Sequence, residues 1–273
     1  TFSGHVEAND VDFGDNAKLT YGMANSGGTP IAAAADGSTT VYYLANGTVT
    51  DTVPGNDEYY GTLIMRPDGS FDFTLNDSAH GPANKMSEGE QKIITLSPTV
   101  SDGQATTVGS GRIVITIVGT NDVPELTVTH DNAAMTGDVG GVFQDDKSVQ
   151  TATGKLTIHD VDALDMKHGL DIKVENTAAH ADGIDLASST SDNTIKVSGL
   201  YGDLYVVRTS SGSDHTDDTY TYRYVIDPIR AAAVGKNETS QDDFTITIRD
   251  QFGAYDEKQL IFEVVGKIGR AHV

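Results

Sequence analysis

Cysteine and tryptophan are both absent from this 273-residue chain, and basic residues are scarce: 18 Lys and Arg stand against 40 Asp and Glu. Without cysteine there is no disulfide and no thiolate to bind metal or act as a nucleophile. A formal net charge of −22 and a pI near 4.4 turn the chain away from nucleic acid and anionic membrane surfaces as partners. No run of 18 apolar residues exists, so no segment reads as a membrane-spanning helix or a direct membrane insertion. The lack of tryptophan also removes a favoured stacking platform for sugars. Helical periodicity is almost missing too. The segment IRAAAVG near Ile229 is where a short helical turn is expected.

What remains is a β composition. Thr, Val, Ile, Tyr and Gly recur in short alternating runs, as in Phe244, Ile246 and Ile248 set between Thr245, Thr247 and Arg249. Among the acids, 31 are Asp and only 9 are Glu. Asp suits turns and compact oxygen-ligand sites, whereas helical surfaces favour Glu. The length predicts about two domains. The opening TFSGHVEAND carries no initiator Met or signal peptide, so the chain is expected to be part of something longer. After Val265 the ending GKIGRAHV breaks the β pattern, and residues 267–273 read as a non-native tail.

A repeat organises the rest. SGHVEANDVDFGD, from Ser3, matches TGKLTIHDVDALD, from Thr153. Further along, YGTLIM at Tyr60 echoes YGDLYV at Tyr201, and FDFTLN answers YRYVID. The pair LSPTVSDG and FTITIRDQFG aligns Asp102 with Asp250, and RIVITIVG aligns with QLIFEVVG. Five anchors in one order define a tandem repeat, with residues 1–122 as the first module and 123–266 as the second. TND forms the link between them, with the boundary at Asn121–Pro124. Each module shows about seven strand signals, which predicts an all-β fold of two tandem Ig/cadherin-like Greek-key β-sandwiches.

Strand parity then gathers acids at one pole of the second module. If TGKLTIHDVD is strand B and DDFTITIRD is strand F, both end where the incoming linker arrives. That places Asn121, Asp122, Asp160, Asp162, Asp165 and Asp250 together. By repetition, Asp10, Asp12, Asp15 and Asp102 form the equivalent set in the first module. Two like charges about 4 Å apart repel by roughly 4 kcal/mol at an effective dielectric near 20. A hard cation would turn that repulsion into coordination. Ca2+ accepts carboxylates and amide carbonyls in flexible geometry, Mg2+ demands a stricter octahedron, and zinc would want His or Cys. The bland alternative for any one Asp-x-Asp is a solvated turn. An ion held from both sides of the link would stiffen it, so calcium is the expected cofactor.

These motifs resemble a known family. GxVxAxDVDxGD, YGTLxMxPDGSFDFTLN, VSDG and IVGTNDVPELTV are similar to the VCBS repeats of large bacterial adhesins of the RTX type, which are related to cadherin-like modules. The second module departs from the pattern where RTSSGSDHTDDTY replaces PDGSF. The resemblance implies an extracellular, often calcium-dependent adhesin at the bacterial cell surface, with neighbouring repeats as partners and a cell-surface or matrix ligand engaged elsewhere. Catalysis finds no support: no nucleophile elbow, P-loop or His-Glu-x-x-His is present, and His159 reads as an outward strand residue. The tyrosines Tyr42, Tyr43, Tyr59 and Tyr60 read as cross-strand packing rather than a ligand patch. Two other classes stand beside the stalk reading. One is a module that binds glycan or protein through its loops. The other is an accessory region of a secreted hydrolase.

Overall fold

The computed structural model describes residues 1–9, 18–109, 111–131, 139–144, 151–162, 170–176, 184–185, 194–211, 217–235 and 237–266. Its contacts divide the chain into two units, Thr1–Thr120 and Asn121–Val273. The Asp10, Asp12, Asp15 and Asp165 candidates and the 267–273 tail lie outside the described residues.

Among its described residues unit 1 carries ten strands: β1 (Phe2–His5), β2 (Thr20–Met23), β3 (Thr39–Leu44), β4 (Val49–Thr50), β5 (Tyr59–Met65), β6 (Ser70–Leu75), β7 (Gln91–Leu96), β8 (Pro98–Ser101), β9 (Thr106–Val108) and β10 (Ile113–Val118). One sheet runs β1-β6-β5-β3-β4, and the facing layer is split into β10-β7 and β2-β8-β9. The split arises because one long hairpin is interrupted. Ser97 gives its carbonyl to the Ala24 N–H instead of the ladder, and Gly109 donates to Pro98 O. Along β3, β5, β6 and β7 alternate residues point inward, and Met23, Val41, Leu63, Met65, Phe73, Ile94 and Leu96 belong to the core. Tyr42 packs edge-on against Tyr59 across the β3–β5 pair at 5.4 Å, and Tyr43 lies against Tyr60.

Three turns in unit 1 repeat one device. In Asp36-Gly37-Ser38, Asn46-Gly47-Thr48 and Asp68-Gly69-Ser70, the first side chain accepts from both the backbone N–H and the hydroxyl two residues on. The central glycine has φ of 81°, 85° and 88° respectively, a region that other residues enter only with strain.

Among its described residues unit 2 also has ten strands: β11 (Glu125–His130), β12 (Val139–Gln144), β13 (Thr151–His159), β14 (Asp171–Asn176), β15 (Ile184–Asp185), β16 (Thr194–Ser198), β17 (Gly202–Ser211), β18 (Asp217–Ile226), β19 (Thr239–Arg249) and β20 (Tyr255–Val265). They form two five-stranded sheets, β11-β13-β18-β17-β16 and β12-β20-β19-β14-β15. Because β13 pairs with β18 while β14 pairs with β19, the chain crosses between sheets as a Greek key. The core between them includes Leu126, Leu156, Ile158, Ile172, Tyr222, Phe244, Ile246 and Leu260. At its centre Tyr224 stacks on Phe262 at 4.2 Å and 7°.

The expected helical turn is α1 (Pro228–Ala231), with Pro at its start and Asp227 as N-cap accepting from Ile229 N and Arg230 N. No helix among the described residues is long and apolar enough to cross a membrane. Strands outnumber the seven expected per module. The excess comes from the interrupted hairpin in unit 1 and from short edge pieces such as β4 and β15.

Candidate metal centre

The register of three strand pairs builds one end of unit 2. Glu125 lies opposite His159, so the residues just before β11 sit beside the residues just after β13. Asp171 lies opposite Arg249, and Arg249 opposite Tyr255, which brings the turn after β19 to the same end. Asn121 and Asp122 approach from the linker, Asp160 and Asp162 follow β13, and Asp250 follows β19.

Hydrogen bonds tie these segments together. The Asn121 amide donates Nδ2 to Asp250 Oδ2 at 2.8 Å and to Asp122 O at 2.8 Å. The Asp122 backbone N–H donates to Asp162 Oδ2 at 2.7 Å, and Asp162 N–H donates to Asp160 Oδ1 at 2.9 Å. Asp250 uses its other oxygen inside its own turn, where Oδ1 accepts from Phe252 N and Ala254 N at 2.8 and 2.9 Å. Gly253 completes that turn at φ 96°. One carboxylate therefore shapes the β19–β20 turn with one oxygen and anchors the linker with the other.

Burial gives the cluster its energetic character. Asp160 and Asp162 are both 0% exposed and Asp250 is 3% exposed. Carboxylates withdrawn from water lose hydration, and the N–H donors named above offset that loss. The donor set is all oxygen: carboxylates, the Asn121 amide and the Asp122 carbonyl. That is the chemistry of a hard cation such as Ca2+, and it offers no nitrogen or sulfur for zinc. The side chains are arranged chiefly around N–H donors, however. Among the described residues no group of three or more His, Asp or Glu stands in a metal-holding array.

In unit 1 only Asp102 of the corresponding set is described. Its Oδ1 accepts from Gln104 N and Ala105 N, both at 2.8 Å, in the same manner as Asp250. The Ala105 and Gln104 N–H groups hold the Asp102 carboxyl below the usual range. His159 is exposed.

Asp256 is a member of this end that sequence reasoning missed. Its Oδ2 accepts from Leu126 N at 2.9 Å and so joins the start of β20 to β11. Burial pushes its pKa up, but N–H donation from Leu126 and Glu257 and the Lys258 ammonium outweigh that and lower it overall. YDEK on a strand carries no mark distinguishing Asp256 from a surface acid. Only the register across sheets reveals the bond.

No family model matches the chain, and no curated protein matches it. Solved structures resemble it at low identity. PcdhgB3 EC1–4 is 12% identical over 95% of this chain, with a TM-score of 0.38. Human CDH23 EC21–23 is 10% identical over 97% of this chain and 69% of that one, also with a TM-score of 0.38. CfaE, the adhesive subunit of the CFA/I fimbria of enterotoxigenic Escherichia coli, is 11% identical over 92% of this chain and 87% of that one, with a TM-score of 0.33. The chain spans 43% of the length of PcdhgB3 EC1–4. All three scores fall below 0.5, so the architecture rests on the sheets and core of this chain itself.

Proposed function

We propose that the chain is a pair of β-sandwich modules that extend a large secreted or surface-attached bacterial adhesin. In this reading Ca2+ bound at the linker end of unit 2 stiffens the chain, and no catalysis is performed. The observation that carries the reading is the burial of Asp160, Asp162 and Asp250 around a linker they hold through Asn121 and Asp122. These five residues would hold the ion, with Asp165 as a further candidate. When bound, Ca2+ would neutralise the buried carboxylates.

A linker whose amide and backbone are clamped to the β13 and β19 ends has little freedom left, whereas module links swing by default. A ligand that binds only the folded state at a hundredfold excess over its Kd adds about 2.7 kcal/mol of stability. Thermal unfolding with calcium and with chelator tests the reading. Calcium is expected to raise the melting temperature of the parent, and Asp160→Ala/Asp162→Ala is expected to lose most of that rise. Identical melting of the parent in both conditions would leave the cluster as a hydrogen-bonded clamp without a metal and sink the calcium reading.

A further inference from the structure

The two units can be compared position by position because their pairing registers agree. Gly4 of β1 lies opposite Phe71 of β6, and Gly154 of β13 lies opposite Tyr222 of β18, so β1 is the counterpart of β13. The RIVITIVG and QLIFEVVG segments make β10 the counterpart of β20 in the same way. In unit 2 both of these strands are covered on their outer side. β11 pairs antiparallel with β13, and β12 pairs parallel with β20. In unit 1, among the described residues, β1 pairs only with β6 and β10 only with β7.

The two uncovered edges flank a groove of ≈ 310 Å³ lined by Phe2, Val6, Phe71, Ile113 and Val114 among others. Phe2 is 57% exposed and Val114 60%. The corresponding place in unit 2 is closed. Ala152, the counterpart of Phe2, is fully buried there, and Leu126 from β11 joins the core at 1% exposure. The backbone of β11 comes close enough that a Cβ on Gly154 would lie 2.3 Å from Thr129 O. A bare edge beside an apolar groove is a template for strand addition.

We propose that the β1 edge of unit 1 is a strand-acceptor site. Its occupant is an extended segment with the alternating pattern of Glu125–His130, supplied by the same polypeptide N-terminal to Thr1, in the place β11 takes beside β13. Backbone hydrogen bonds along β1 give the affinity, and a Leu126-like side chain entering the groove sets the register. The inference rests on the repeat and the groove, and it stands whether or not the linker end of unit 2 binds calcium.

The test places a copy of residues 121–150 before Thr1 and follows hydrogen exchange of the full chain. The β1 amides that face away from β6 are expected to slow at least tenfold relative to the parent. A graft whose copied leucine is changed, Leu126→Asp in the added segment, is expected to give no such slowing. Unchanged β1 exchange in the extended chain, or equal slowing with the Asp graft, would overturn the proposal. Sedimentation of the unextended parent across concentration supplies the second arm, and a monomer is expected. A dimer with protected β1 amides would assign the edge to a second copy and overturn the same-chain source.

Discussion

Two adjacent aspartates on β19 show how one residue step separates a structural acid from a strained one. Asp242 is fully buried and accepts four hydrogen bonds, from Leu200 N, Tyr201 N, Gly202 N and the Tyr224 hydroxyl. It closes the turn into β17 against the core and raises the pKa of Tyr224, an effect that burial of the ring dominates. Asp243 faces the other way, half-buried, with Oδ1 buried and lacking a hydrogen-bond partner. Burial first, and the Asp242 charge second, push its pKa up. A carboxyl raised on folding binds more protons folded than unfolded, so its contribution to stability falls as pH climbs from the unfolded value near 4 through the raised one. Asp243→Asn is therefore expected to melt about 1–3 °C higher than the parent at pH 7. That gain should vanish below about pH 3, where both forms are neutral. Equal melting at pH 7 would show that the carboxylate is well solvated after all.

At the scale of elements, two glycine turns of unit 1 supply the sharpest contrast. Gly69 has a positive φ, and a Cβ there would also lie 2.4 Å from Val6 O, whose own N–H donates to Gly69 O. Gly89 has φ 74° but nothing within 4 Å of its added Cβ. Gly89→Ala should thus cost about 1 kcal/mol from backbone strain alone. Gly69→Ala should cost that plus the displacement of Val6 just after β1, about 2–3 kcal/mol altogether. Urea midpoints decide the matter, and equal losses would dismiss the close approach.

The strands were legible from alternation, because inward Phe244, Ile246 and Ile248 must alternate with outward Thr245, Thr247 and Arg249 when both sheets face one core. Strand parity made the shared end of Asn121, Asp122, Asp160, Asp162 and Asp250 legible too. The interruption at Ser97 was not, since LSPTVSDG alternates straight through it. The parallel pairing of β12 was also hidden, because its VGGVFQ segment offers little pattern and parallel partners lie far apart in the chain. Asp242 and Asp256 escaped for a related reason. A polar side chain's bonds across sheets depend on registers that no local spacing encodes.

The whole molecule is dominated by its charge of −22. Mutual repulsion favours expanded states, and salt screens it over a Debye length of roughly 10 Å at 0.1 M. With chelator present, raising NaCl from about 10 mM to about 500 mM is expected to lift the melting temperature by a few degrees. Millimolar calcium at matched ionic strength should add a further rise that Asp160→Ala/Asp162→Ala removes. If calcium and sodium act alike at equal ionic strength, only the ion atmosphere is at work.

The parallel pairing of β12 with β20 carries a mechanical consequence. These strands belong to the opening and closing segments of unit 2 and run side by side in the same direction. Tension applied between β12 and β20 pulls them past each other lengthwise, so their shared hydrogen bonds bear the load together in shear. An antiparallel pair pulled from one end opens like a zipper, one rung at a time. Tension across this pair is therefore expected to be resisted along its whole length before it yields.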